Sequence, residues 1–213
     1  MDDIIPQFVT LWAVIDPVGS IPVFLAVTAG FSLTHQRKLA GAAVLAAAGV
    51  LLFFIVAGQL LLESMGIPLA AFQIAGGIVL FLFALTMIFG EGKPEQEKHL
   101  LTQAEGGDPV GPAMSHAIFP LAIPSIASPG AMMAVVMLTD NHGFDLVEQS
   151  ITTGLMLVVV LITFLLLLGA TFIHRLIGDA GASIISRVMG LILGAVAINS
   201  ILEGITTYFS ITV

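Results

Sequence analysis

The stretch Asp16-Pro17-Val18-Gly19-Ser20-Ile21-Pro22 puts a carboxylate inside an apolar run, Ile4 to Ala29, in which Asp16 is the only charged residue. An ionised Asp at the centre of a membrane helix costs roughly 2.5–3.5 kcal/mol on insertion scales, so such a residue usually faces a cavity or a partner. The chemistry open to it is binding: a ligand for a substrate ammonium group or a coupling cation, or a proton acceptor. The plainer alternative is a cap that satisfies freed backbone N–H groups. Asp is a preferred N-cap, and Pro suits the first helical position because it has no N–H to waste. The same grammar returns at Ile126-Ala127-Ser128-Pro129-Gly130, with Ser as the cap. Ser128 can cap its helix or donate to a substrate carboxylate. Gly19 and Gly130 let a backbone approach a ligand, or let helices pack closely. Pro17, Pro22, Pro120, Pro124 and Pro129 are structural first, since they free carbonyls that something must satisfy.

These residues need a membrane to give them meaning, and the composition supplies one. The chain of 213 residues is 58% hydrophobic and 9% charged, against about 25% charged in soluble domains. Several apolar runs approach or exceed the ~20 residues that cross a bilayer, so the lipid bilayer is the first expected partner. A net charge of −8 argues against nucleic acid. Cysteine is absent, so thiol chemistry does not enter. Met1-Asp2-Asp3 lacks the basic region of a cleavable signal, so the first run is expected to stay as a helix.

Six transmembrane spans are predicted, at about 4–29, 40–62, 69–89, 117–138, 151–173 and 188–205. Gly30 suits a helix C-cap, residues 31–39 a polar link, 139–149 an acidic loop and 175–187 a second link. Residues 91–115, rich in charge, glycine and proline, read as a cytoplasmic loop. All six basic residues (Arg37, Lys38, Lys93, Lys98, Arg175 and Arg187) fall on the side of links 1–2, 3–4 and 5–6. That side is therefore cytoplasmic, and both termini lie outside the cytoplasm.

Pro17 and Pro129 stand 112 residues apart, and Gly76 and Gly190 stand 114 apart. The chain then reads as two three-helix repeats, 1–90 and 116–213, inverted because each has three spans. Inverted repeats with discontinuous helices are a common plan of secondary transporters. Asp16 and Ser128 are 12 and 11 steps into their spans, or ~18 and ~17 Å from opposite faces at 1.5 Å per residue. Both breaks reach the midplane, where the half-helix N-termini, with free N–H groups and partial positive charge, can face one central cavity. Asn199, 12 steps beyond Arg187, either lines that cavity or bonds between helices. Gly190-x-x-x-Gly194 predicts close helix packing, inside the fold or in a homo-oligomer. Gln73 is expected nearer the outer end of its span, and Glu63, Glu203, Arg175 and Arg187 at the interface.

Three motifs now carry a resemblance: Asp16-Pro-Val-Gly-Ser-Ile-Pro-Val-Phe24, Phe119-Pro-Leu-Ala-Ile-Pro124 with Ser128-Pro-Gly130, and Arg187-Val-Met-Gly-Leu-Ile-Leu-Gly194. In this order, and over essentially the whole chain, they resemble the MarC family, which includes SnatA-like neutral amino acid transporters. The resemblance implies a bacterial or archaeal cytoplasmic (inner) membrane protein that moves small neutral amino acids. The chain departs from many members at Ser128, where they carry Gly, and at Asn199, where they carry Gln.

Three functions remain to be weighed. In secondary transport of a zwitterion, the half-helix N-termini hold the carboxylate, and Asp16 holds the ammonium or the coupling H+ or Na+. One three-helix half then rocks against the other. In an aquaporin-like passive channel, the same paired half-helices line a pore. An intramembrane enzyme would need a nucleophile–base pair, which the spans lack, so no enzyme activity is expected. No cofactor and no metal site are expected either: the five histidines are scattered, and no two show the spacing of a zinc helix.

Overall fold

The computed structural model describes residues 4–28, 31–89, 117–140 and 145–210, all of them helix or short connection. The elements are α1 (Ile4–Ile15), α2 (Ser20–Val27), α3 (Leu33–Ser64), α4 (Leu69–Phe89), α5 (Ala117–Ile126), α6 (Pro129–Leu138), α7 (Leu146–Leu168) and α8 (Ala170–Tyr208). Five segments among the described residues are long and apolar enough to cross a membrane: Ile4–Leu25, Leu33–Ser64, Leu69–Phe89, Leu146–Leu168 and Ser183–Tyr208. Pro129–Leu138 is a shorter apolar helix. The expected loop at 91–115 and the Gly30 cap lie outside the described residues, as do Lys93, Lys98, His99, His116, His142 and the two ends of the chain.

Both expected breaks are present. The first lies between α1 and α2, and the second separates α5 from α6. α5 is wound as a π-helix through Pro120 and Pro124, and Ala127 N–H closes it by donating five residues back to the Ala122 carbonyl (2.8 Å). The Ile123–Pro124 peptide is cis.

Three boundaries differ from the sequence reading. The polar link 31–39 is helical from Leu33, so α3 has 32 residues and is ~48 Å long against a ~30 Å core. In its first turn Gln36 donates to the carbonyls of Thr28, the C-cap of α2, and of Phe31. α7 starts at Leu146, inside the expected acidic loop, because Asp145 and Glu148 form a capping box there. The link 175–187 is helix as well. The chain turns at Gly169 and again at Gly178, whose φ of +66° a glycine adopts at no steric cost.

The packing does not follow chain order. α1 lies on α7, α3 on α5, α6 and α7, α2 on α5 and α8, and α4 on α8. α4 and α8 run antiparallel: Gly77 faces Ala197 and Ile201, Gly204 faces Ala70 and Ile74, and Gly190 faces Met87. Gly190 is therefore used within the chain. Buried glutamines tie helices together where no water can serve them. Gln7 accepts from Thr152 (3.0 Å), and Gln59 donates to Asp140 (2.9 Å).

Candidate functional site

The first break begins with a restriction. A residue before proline is biased away from the right-handed helical region, so Asp16 cannot simply continue α1. It takes φ +51°, a left-handed conformation that Asp tolerates better than most residues. Its Oδ1 then accepts from Gly19 N–H (2.9 Å), while its carbonyl accepts from Ser20 N–H (3.2 Å). Asp16 thus caps the turn Pro17–Gly19. Regular helix starts only at Ser20, later than the Asp-Pro signal suggests. Pro22 falls in that first turn, where its missing N–H costs nothing. Gly19 is fixed by the carboxylate itself: a Cβ there would lie 2.6 Å from Asp16 Cγ.

The second break repeats these bonds with a hydroxyl in place of the carboxylate. Ser128 Oγ accepts from Ala131 N–H (3.1 Å), and its carbonyl accepts from Met132 N–H (2.9 Å). Every donor and acceptor is shifted by 112 residues from its counterpart. In both breaks the residue after the cap is proline, with no N–H, and the next N–H, of Val18 or Gly130, is the one that neither cap group takes.

The breaks also touch. Ser128 Oγ donates to the Val14 carbonyl in the last turn of α1 (2.9 Å). A second contact is Ser125 Oγ donating to Ser20 Oγ (3.2 Å), which in turn donates to the Asp16 carbonyl (3.1 Å). Asp16 and Ser128 are each 1% exposed and Ser20 and Ser125 are 0%, so water does not reach this junction. The sequence reading lets the half-helix N-termini face one central cavity; here the cap of α6 meets the last turn of α1, and the first residue of α2 meets Ser125 near the end of α5. A carboxylate, three hydroxyls and two helix N-termini gather at this junction, chemistry that can hold a small ion or zwitterion.

The remaining expected residues divide. Pro17 and Gly130 are buried with the junction, and Gly130 also packs on Leu80 of α4. Pro129 is exposed although both its neighbours are buried. Asn199 does not join the junction. It is exposed beside an apolar groove of about 510 Å³ lined by Phe81, Ile88, Leu191 and Leu202, and it donates to Glu203 Oε1 (2.6 Å). Gln73 donates to the other Glu203 oxygen (3.2 Å), so this cluster ties α4 to α8. Ser20, Ser125 and the glutamine contacts were not singled out from sequence. The available signal was that these are polar residues inside apolar spans, with both serines beside the proline motifs.

A family model described as MarC family integral membrane protein matches residues 1–209. A UPF0056 membrane protein of Methanocaldococcus jannaschii is 33% identical over 93% of each chain. The UPF0056 membrane protein YvbG of Bacillus subtilis is 30% identical over 98% of this chain and 96% of its own. The UPF0056 inner membrane protein YhgN of Escherichia coli is 30% identical over 96% and 97%. No solved structure matches the chain significantly.

Proposed function

This chain belongs to the MarC family of integral membrane proteins, and from that premise we propose that it is a secondary transporter of small neutral amino acids or similar zwitterions. The reading places it in the cytoplasmic membrane, as the name of its Escherichia coli relative suggests. It has six spans, the fourth made of α5 and α6, and both termini outside. The two halves are inverted repeats. This is supported by the antiparallel course of α4 and α8, and by packing in which α1 on α7 is answered by α5 and α6 on α3.

One observation carries the proposal: the matched caps of Asp16 and Ser128, 112 residues apart, stand at breaks that touch through the Ser128–Val14 bond. The half-helix N-termini at these touching breaks offer dipoles for a substrate carboxylate. The Asp16 carboxylate offers the charge for an ammonium group, a proton or Na+. Burial of the junction favours a carrier over the channel alternative, because a passive pore needs a continuous water path.

The test is flux into proteoliposomes with a panel of neutral amino acids, under imposed proton and sodium gradients. The expected result is saturable counterflow, together with accumulation driven by one of the gradients. Flux that neither saturates nor responds to a gradient would favour the channel, and no flux of any amino acid would remove the transport reading.

A further inference from the structure

α4 barely touches α3, its neighbour in sequence, and α8 barely touches α7; each packs instead along the other. At the glycines of that seam, backbone stands close behind the nearest side-chain atoms, which belong to Ile201, Met87 and Ile74. A Cβ at Gly77 would lie 3.0 Å from the Ala197 carbonyl oxygen and 3.3 Å from Ile201 N. At Gly204 it would lie 3.0 Å from the Ala70 carbonyl oxygen and 3.3 Å from Ile74 N, and at Gly190 3.1 Å from the Ala84 carbonyl oxygen. Even where those side chains turn aside, the backbone behind them has no rotamer to change, so this seam resists sliding. The bond from Gln73 of α4 to Glu203 of α8 fastens one end of it.

The seam between α4 and α6 is built differently. There the glycines face the ends of side chains: Gly130 meets the tip of Leu80, and Gly76 meets the thioether of Met133. Such groups re-pack by rotation, and methionine does so with the least restriction. Small sliding of packed helices is how shear motions proceed.

Taking the transport reading as given, we propose that α4 and α8 form a fixed post, and that the junction opens by α1–α2 and α5–α6 shearing along it. α4 belongs to the first repeat and α8 to the second. The halves therefore do not rock as separate bodies, contrary to the mechanism the repeat alone suggests.

The absence of cysteine makes the test direct. A Cβ at Gly194 lies 3.8 Å from Ala84 Cβ, and one at Gly130 lies 3.8 Å from Leu80 Cβ, both at disulfide spacing. Ala84→Cys/Gly194→Cys bridges the post, and Leu80→Cys/Gly130→Cys bridges the sliding seam. Each variant is reconstituted and its disulfide closure rate is followed with and without L-alanine and under proton and sodium gradients. L-Alanine counterflow is then compared before and after oxidation. The post bridge should close at one rate in all conditions and leave at least half of the reduced protein's counterflow. The seam bridge should close at rates that differ at least threefold among conditions. It should also lower counterflow at least tenfold, with recovery in reductant. A post bridge that abolishes counterflow reversibly, or that closes at condition-dependent rates, overturns the proposal, as do equal and unresponsive rates at both seams. Reduced Ala84→Cys/Gly194→Cys protein that moves no amino acid counts against the transport reading instead, and the closure rates still decide whether the post is fixed.

Discussion

Asp16→Asn should fold and insert like the parent, yet fail to concentrate substrate. The structure makes this substitution a clean removal of charge. Asn tolerates the left-handed conformation at φ +51°, and its amide oxygen can keep the bond from Gly19 N–H, since Asn caps as well as Asp. What disappears is the carboxylate that attracts a cation, a proton or an ammonium group. Hydrogen bonds to charged groups contribute about 1.5–3 kcal/mol, so gradient-driven accumulation should fall roughly 10- to 100-fold. Thermal stability should stay within a few degrees of the parent. If exchange survives while accumulation is lost, Asp16 serves the coupling ion; if both are lost, it serves the substrate ammonium. Normal accumulation by Asp16→Asn would reduce the residue to a cap.

Ser128→Ala has the second largest expected effect, because one hydroxyl makes two buried bonds. Losing the cap on Ala131 N–H costs about 1 kcal/mol. Losing the donor to the Val14 carbonyl costs about 0.6–1.7 kcal/mol, the range measured for hydrogen bonds between membrane helices. The two together predict a loss of roughly 2 kcal/mol in resistance to unfolding. Ser128→Gly separates them, since Gly replaces a cap at a cost of a few tenths but cannot donate. Both variants should therefore show the same change in transport, while only Ser128→Ala loses the full stability. Equal stability of Ser128→Ala and the parent would contradict the double role.

The parts of this fold legible in the sequence were those written in local chemistry. α4 occupies the predicted 69–89 because Pro68 and Gly90 punctuate an unbroken apolar run. The break at Ser128 follows from a cap residue before proline, whose effect is local. Asp16-Pro17 marks the first break equally well but not its shape, since Pro17 denies Asp16 the conformation an ordinary N-terminus would use. Hydropathy reads the thickness of the bilayer rather than the length of a helix, so the polar turns of α3 and the link into α8 were read as connections. Depth along α8 put Asn199 near the midplane, but depth says nothing of direction. Gly190, Ala197 and Gly204, spaced by seven, face α4, whereas Asn199, two residues past Ala197, lies off that stripe and is exposed. Nor could the sequence say which carbonyl Ser128 would meet, because that contact joins residues 114 positions apart.

As a carrier, the protein must open its buried junction alternately to each side and close it on substrate. Ser20 tests it most directly, being fully buried and bonded to both breaks. In a chain with no other cysteine, Ser20→Cys can be labelled with a membrane-impermeant maleimide in oriented proteoliposomes, from either face. Slow labelling from both faces is expected, with reversal of the proton or sodium gradient shifting the balance between them. A neutral amino acid which supports counterflow should slow labelling at least tenfold. Labelling from one face only, at a rate that neither gradient nor substrate changes, would contradict the alternate opening.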